Sequence, residues 1–298
     1  MKQEDLKKLL RKFAGDRTKL IDALLVELQK EVGNVQKALL TRFVEDWVNK
    51  LDVDKDTGLI KNTLRNKRLL DNVDTIFVDY VKTDGVVIAK TMVDGINQIL
   101  DFNGDYYKGL DQTAMVVPIK AEAKALIESW LGLKGNGYLT GNGYLAKTIS
   151  DPKILGDLKN VALRSVVGQQ GYRSTLEEVK NFISGNKEQA GLLEKYARNF
   201  VYDTYSQVDR VTAAVFADKL QLDYAMYEGG LIKTSRKFCR ERNGKVFTRA
   251  EIADMLPKEG IPPNYNPFND MGGYGCRHHW NWMGYTLAVF FRPDLKKD

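Results

Sequence analysis

The amino-acid sequence predicts a mainly α-helical protein with a small α+β module in its C-terminal part. Apolar residues recur at three- and four-residue spacing from residue 20 to residue 51, which is the period of a long amphipathic helix. Helical patterns continue to about residue 220, where the period changes to that of strands. Turn dipeptides such as Asn243-Gly244 then separate short segments. We therefore expect long amphipathic helices followed by a short antiparallel β-hairpin or sheet.

The N-terminal part is predicted to form an antiparallel helical bundle. After the helix over residues 20–51, the same apolar spacing predicts a second helix over residues 64–81. A third helix is expected over residues 86–100, because the dipeptide Asp84-Gly85 favours a break before it. A further helical segment follows over residues 119–131.

The loop DVDKDTG, between the first two predicted helices, has the alternating aspartates of a calcium-binding loop. An EF-hand requires glycine at the sixth position and a bidentate glutamate at the twelfth. Here Gly58 stands at the seventh position and Thr63 at the twelfth. An acidic turn between two helices explains the same residues, and we prefer that interpretation.

The pentapeptide GNGYL occurs twice, at residues 135–139 and 141–145. It lacks the Lys-Ser/Thr ending of a phosphate-binding loop, and no strand precedes it, so nucleotide binding is not expected. A flexible connector or hairpin between domains explains its glycine content, and an exposed loop that contacts a partner is the alternative. We accordingly predict a helical N-terminal domain over residues 1–146 and a C-terminal domain over residues 147–298.

The C-terminal domain is expected to begin with helices. Ser150-Asp151-Pro152 and the capping-box spacing from Ser174 to Glu177 indicate two helix starts, and a long helix is predicted over residues 187–220. A second capping box, Thr248 to Glu251, indicates a short helix. The segments with strand character are residues 222–227, 231–233, 245–247 and 279–286.

The composition favours an acidic partner and gives no sign of a membrane protein. The 298 residues carry a formal net charge of +6, and no run approaches the roughly 20 apolar residues of a membrane helix. The charged N-terminal segment lacks the apolar region of a secretory signal, so we expect a cytoplasmic product with reduced cysteines. Against the single acid Glu241, one short segment carries seven basic residues that are candidates for contact with nucleic acid or a protein partner: Lys233, Arg236, Lys237, Arg240, Arg242, Lys245 and Arg249.

The stretch GGYGCRHHWNW, residues 272–282, holds both histidines of the chain and one of its two cysteines. With Cys239, the cluster has the composition of a zinc site. Adjacent residues of a strand point to opposite faces, so only one histidine can join the cysteines. Cys239, Cys276 and His278 are therefore the candidate ligands of a structural zinc. Reduced cysteines packed in a small core explain the same residues, and we prefer that interpretation.

No enzyme class is predicted from these residues. A nuclease of the His-Asn-His type would use His278 or His279 with Asn281 or Asn266, but it also requires a distant second metal-binding histidine. The chain has only the two adjacent histidines, and it has no Gly-x-Ser-x-Gly motif. We expect a non-enzymatic protein that requires no cofactor, with the zinc site just described as the only candidate.

The order of motifs over residues 187–285, about a third of the chain, resembles the C-terminal domain of the Mu F-like phage head morphogenesis family, or minor head proteins. That family has a helix, a polar strand with threonine, aspartate or arginine and cysteine, a turn of the type Asp/Asn-Gly-Lys-Val-Phe, and a final segment with proline and Cys-Arg. The matching positions are Thr234, Cys239, Asn243, Gly244, Lys245, Val246, Phe247, Pro267, Cys276 and Arg277. The chain departs from the family in having Cys239 without a Cys-x-x-Cys partner and in having its histidines after Arg277.

The resemblance implies a structural virion component that acts in head assembly and in genome packaging or ejection. It implies a location in the virion, at the portal vertex or in the head interior, for a protein made in the host cytoplasm. The implied partners are the portal protein, the major capsid protein and packaged DNA, with no membrane, and several copies would follow the symmetry of the portal. A basic DNA-binding protein outside any virion is the alternative.

Overall fold

The computed structural model describes residues 3–110, 115–134, 140, 143–258 and 260–296. It is mainly helical with one small antiparallel sheet near the C-terminus, as the sequence predicts. The helices are α1 (Gln3–Asp46), α2 (Leu64–Arg68), α3 (Leu70–Leu110), α4 (Val116–Leu131), α5 (Tyr144–Ile149), α6 (Pro152–Val167), α7 (Tyr172–Ser184), α8 (Leu192–Lys219), α9 (Lys237–Arg242), α10 (Arg249–Ala253) and α11 (Tyr285–Phe291), with short 3-10 turns at Val48–Lys50 and Pro293–Leu295. The strands are β1 (Tyr224–Gly229), β2 (Lys245–Thr248) and β3 (His278–Met283).

The chain divides into two compact units, and neither is continuous in sequence. The first, which we call the sheet unit, comprises residues 1–25, 94–127 and 201–298, and the second, the helical unit, comprises residues 26–93 and 128–200. Each unit contains residues from both sides of the boundary expected between residues 146 and 147. Most residues of the GNGYL repeat, 135–139 and 141–142, lie outside the described part of the chain.

The helical unit is built on amphipathic helices whose apolar stripes are buried. The part of α1 that belongs to this unit, from residue 26 onward, buries the apolar residues that recur at three- and four-residue spacing. Buried polar side chains of the unit form hydrogen bonds with the backbone of other segments. The Gln36 Oε1 atom accepts hydrogen bonds from the backbone N–H groups of Leu193 and Glu194 at the start of α8. The buried side chain of Asn66 pairs in both directions with the backbone of Asp52. The buried apolar residues of this part of α1 and the turn after it are Leu28, Val32, Val35, Leu39, Phe43, Trp47 and Leu51.

The sheet unit has a three-stranded antiparallel sheet with the order β2-β1-β3. Strand β1 lies in the middle, where Tyr227 is opposite Lys245 on one side and opposite Trp280 on the other. All six residues of β3 are buried. The core around this sheet is aromatic, and Tyr107 of α3 stacks on Phe216 of α8 with ring centroids 4.6 Å apart.

The predicted break between the second and third helices is wrong, because α3 runs without interruption from Leu70 to Leu110. A single glycine within a helix costs about 1 kcal/mol relative to alanine. Gly85 is buried, and apolar side chains before and after it, such as Tyr80 and Ile88, are buried too. Packing of the helix therefore offsets the unfavourable backbone entropy of one glycine.

The strand predicted at residues 231–233 is also wrong, since these residues form no strand and α9 follows them. The Asn243-Gly244 turn consequently joins a helix to β2 instead of joining two strands of a hairpin. Gly244 has φ +78° and donates its N–H to the Tyr227 carbonyl, while the Asn243 side chain accepts the N–H of Gly229. The turn chemistry was correctly recognised, but its partner is the central strand β1.

Two of the three predicted helix starts are confirmed. The Asp151 side chain caps α6 by accepting the N–H of Lys153, and Thr248 and Glu251 form the expected capping box of α10. The third is displaced: α7 begins at Tyr172 after Gly171, which makes no side-chain cap, so Ser174 lies within the helix. The long helix α8 begins at Leu192, five residues after its predicted start.

Candidate metal centre

Three elements of the sheet unit bring the candidate ligands together. Cys239 lies in the first turn of α9, where it and Phe238 are buried. Cys276 ends the loop that leads to β3, and His278 is the first residue of that strand. All three side chains are almost fully enclosed, with exposed fractions of 3%, 4% and 2%.

The potential ligand atoms of these three residues lie within 4.8 Å of one another. The two sulfurs are 3.8 Å apart, and the Cys276 Sγ atom is 3.7 Å from His278 Nδ1. The sequence-predicted grouping of Cys239, Cys276 and His278 is therefore present as a spatial cluster, which we call the thiol–imidazole cluster.

Tyr227, from the central strand β1, contacts all three residues of this cluster. Its hydroxyl group lies 3.3 Å from Cys239 Sγ and 3.5 Å from Cys276 Sγ. Its ring stacks on the imidazole of His278, with centroids 4.8 Å apart and planes inclined by 14°. Burial raises the pKa of Tyr227 far above its usual value, so the hydroxyl group stays protonated and can donate a hydrogen bond to a sulfur.

Because Gly272 has no side chain, it leaves room for the sulfur atoms of Cys239 and Cys276. A Cβ atom at this position would lie 2.5 Å from Cys239 Sγ and 3.1 Å from Cys276 Sγ. Any larger residue would displace at least one thiol. The glycine of the opening motif thus belongs to the cluster, a role that the sequence pattern alone does not reveal.

The two thiols differ in their readiness to lose a proton. Their mutual hydrogen bond raises the pKa of Cys239, and burial raises it further. The same hydrogen bond lowers the pKa of Cys276, and the nearby His278 and Arg210 side chains add to this effect. Cys276 is therefore the thiol that becomes the thiolate first.

A pocket of about 420 Å³ opens beside the cluster. Cys239, Cys276 and His278 all contribute to its wall. The remaining lining comes from the segment before α9 and from the loop before β3, including Ser235 and Tyr274. The cluster is thus buried on the sheet side and reachable from the pocket.

The other face of β3 holds a buried polar network that was not recognised from the sequence. The Arg17 Nε atom lies 3.2 Å from Asp209 Oδ1, and His279 Nδ1 lies 2.6 Å from Asp209 Oδ2. Arg17 also donates to Asn281, whose amide donates in turn to Glu228. Arg17 and Asp209 stand in long helices with no local signal of their partners, so only the fold brings them together.

Charge pairing in this network outweighs burial for the carboxylate. Burial alone would raise the pKa of Asp209, but the Arg17 guanidinium and His279 hold it far below its usual value. Burial lowers the pKa of His279 in spite of the opposing effect of Asp209. The network therefore contains an ionised Arg17–Asp209 pair at neutral pH, with a neutral imidazole beside it.

The seven predicted contact residues fall into two groups. Arg236, Arg242 and Arg249 are half-buried and are used within the protein: Arg236 donates to the Tyr274 carbonyl, Arg242 lies over the Phe238 ring, and Arg249 lies over the Trp282 ring. The exposed members are Lys233, Lys237, Arg240 and Lys245. We call these four residues the exposed basic set.

The side chains proposed to orient a catalytic histidine are engaged elsewhere. Asn281 joins Arg17 to Glu228, and the Asn266 side chain accepts the backbone N–H of Phe268. Neither of these hydrogen bonds involves His278 or His279. This geometry adds no support to the nuclease interpretation.

Comparison with models of known protein families, with curated proteins and with solved structures produced no match. Among the described helices, none is both long and apolar enough to cross a membrane.

Proposed function

We propose that the protein is a phage minor head protein, a non-enzymatic component that acts in head assembly at the portal vertex or in the capsid interior. The observation that carries this proposal is the ordered series of motifs from Thr234 to Arg277, which resembles the Mu F-like head morphogenesis family. A chain of long helices with a compact α+β module near its C-terminus is compatible with this resemblance.

The contacts of the motif residues support a structural role for the module. The Asn243-Gly244 turn binds the backbone of β1. The Pro267 carbonyl accepts the indole N–H of Trp280, and Arg277 pairs with Asp22 of α1. These residues hold the sheet to its loops and to a helix, which explains why a head protein would need them without any catalytic step.

On this proposal, the long helices provide the surface that docks on portal or capsid subunits. The protein would be made in the host cytoplasm and incorporated in several copies that follow the symmetry of the portal. It would then serve genome packaging or ejection while remaining in the virion.

Binding to the portal tests the proposal directly. The purified protein is mixed with the portal complex encoded in the same genome, and the mixture is examined by analytical ultracentrifugation and electron microscopy. We expect ordered additional density on the portal ring at a defined copy number. Absence of binding to the portal, together with absence of the protein from purified heads, would overturn the proposal.

A DNA-binding function is the second candidate, because the exposed basic set places four unburied cations within thirteen residues of the chain. For such a protein the logarithm of DNA affinity falls linearly with the logarithm of salt concentration. The test compares the wild type with the fourfold alanine variant of Lys233, Lys237, Arg240 and Lys245.

If these side chains contact phosphates, the slope of the salt dependence should decrease by about 1 for each lost contact. Substitution of the exposed Lys90 of α3 provides a control for the loss of positive charge at a distant position. Portal binding that survives the fourfold substitution, with an unchanged salt slope for DNA, would leave only the head-assembly function.

A further inference from the structure

We infer that Cys239, Cys276 and His278 form a zinc-binding site with three protein ligands, whose fourth coordination position opens on the adjoining pocket. The inference rests on the thiol–imidazole cluster and does not depend on the proposed function.

The spacing of the ligand atoms fits a tetrahedral zinc ion. Bond lengths of about 2.3 Å for Zn–S and about 2.0 Å for Zn–N place two sulfurs about 3.8 Å apart and a sulfur and a nitrogen about 3.5 Å apart in a tetrahedron. The cluster has 3.8 Å between Cys239 Sγ and Cys276 Sγ, and 3.7 Å between Cys276 Sγ and His278 Nδ1. The remaining edge, from Cys239 to His278, is within 4.8 Å, so it must shorten by up to about 1.3 Å to reach the tetrahedral value.

The same distances disfavour the two alternatives for this cysteine pair. A disulfide requires the sulfurs to be about 2.0 Å apart, so the observed separation would have to shrink by nearly half. An ordinary hydrophobic core would not require the imidazole of His278 to lie beside two thiols.

Tyr227 and Gly272 provide the surroundings that a thiolate site needs. The Tyr227 hydroxyl can donate to either sulfur, and its ring fixes the orientation of the His278 imidazole. In zinc sites, groups that contact the metal-binding residues in this way fix the orientation of those residues and stabilise their charge. Gly272 leaves the space in which both sulfurs can turn toward one ion.

The fourth position is left to solvent. Among the described residues, the group that could hold a metal contains three side chains, and all three line the pocket of about 420 Å³. A water molecule entering through the pocket would complete the tetrahedron. Zinc binds cysteine as the thiolate, so any thiol proton that Cys239 or Cys276 still carries is released to solvent on binding.

Metal content of the full-length protein is the first measurement. Protein purified under reducing conditions is stripped with a chelator, dialysed, and titrated with zinc chloride while bound zinc is determined by elemental analysis. We expect one zinc ion per chain, release of protons on binding, and a higher midpoint of thermal unfolding for the zinc-loaded protein. Binding of less than a tenth of an equivalent, with no change in the midpoint, would overturn the inference without requiring any variant.

Cobalt substitution identifies the ligands. Co²⁺ bound to cysteine sulfur gives intense charge-transfer absorption in the near ultraviolet, and four-coordinate Co²⁺ gives strong visible bands. The variants Cys239→Ser, Cys276→Ser and His278→Gln should weaken metal binding by more than the 10- to 100-fold typical of losing an outer-shell contact.

His279→Gln is the matched control, because it changes the neighbouring histidine on the opposite face of β3. It should destabilise the protein through the Asp209 contact but keep the cobalt spectrum and the zinc stoichiometry. Equal loss of metal in His278→Gln and His279→Gln, or unchanged metal binding in all three ligand variants, would show that the ion is held elsewhere. Loss of both thiols to a disulfide in the metal-free protein under reducing conditions would likewise contradict the inference.

Discussion

His278 and His279 are adjacent in sequence but belong to different environments. His278 stacks on Tyr227 beside the two thiols, whereas His279 contacts Asp209 in the polar network of the other face. Strand alternation predicts this separation of the two imidazoles. The partners on the second face, Arg17 and Asp209, were not predictable, because nothing in a helical pattern indicates which buried charges will meet.

Substitution of Tyr227 by phenylalanine tests the role of its hydroxyl group. The variant Tyr227→Phe keeps the ring that stacks on His278 and loses the donor to the sulfurs. We expect zinc affinity to fall by about 10- to 100-fold with unchanged stoichiometry, measured by competition with a chromophoric chelator. Tyr224→Phe, on the same strand and half-buried, should leave the affinity unchanged. Equal zinc affinity of Tyr227→Phe and the wild type would show that the hydroxyl group does not contribute to zinc binding.

Asp209 should make stability depend on pH in the acid range. Its pKa in the folded protein lies far below the unfolded value of about 3.9, so its contribution is complete above that value and is lost as the pH falls through the acid range below it. The groups that face this carboxylate are Arg17, His279 and Asn103.

The variant Asp209→Asn leaves Arg17 buried without its counter-charge, so we expect a loss of about 3–5 kcal/mol of unfolding free energy at pH 7. The remaining stability of the variant should fall less steeply below pH 4. Urea denaturation at a series of pH values measures both effects, and the exposed Asp105→Asn serves as control. A variant with the same acid dependence as the wild type would show that other carboxylates produce it.

At the scale of elements, local signals predicted most of the helices but not how tertiary packing modifies them. The caps at Asp151 and Thr248 were recognised because capping is a short-range interaction within one helix turn. The continuity of α3 through Gly85 and the helical state of α9 were not, since both depend on the surroundings of the segment. The strand pattern at residues 222–227 and 245–247 was sufficient to locate β1 and β2.

Glycines within the long helices should respond to substitution according to the space around them. A Cβ atom at Gly33 of α1 would meet nothing within 4 Å, so Gly33→Ala should stabilise the protein by about 0.5–1 kcal/mol through the entropy of the unfolded chain. A Cβ atom at Gly95 of α3 would lie 2.6 Å from the hydroxyl of the buried Tyr205, so Gly95→Ala should destabilise it by about 1–3 kcal/mol. Thermal unfolding of both variants measures the difference, and a shift of the same sign in both would contradict this explanation.

At the scale of the whole molecule, the sequence indicated the fold class but not how the chain is partitioned. The helical period and the late change to the period of strands can be read in short windows of the sequence. They were enough to predict a mainly helical protein with a small sheet. The two compact units are each assembled from separate stretches of chain, which depends on long-range contacts. The domain boundary between residues 146 and 147 stays a prediction.

The hydrogen bond between Arg17 and Asn281 spans 264 positions of the chain. A contact of that separation forms only after the entropy of closing a very long loop has been overcome, and proteins dominated by such contacts fold slowly. The helices can form locally within microseconds, while the polar network of the sheet unit must wait for segments that a ribosome delivers far apart in time. During synthesis, the guanidinium group of Arg17 therefore stays exposed to water until the ribosome has delivered the segment that contains Asn281.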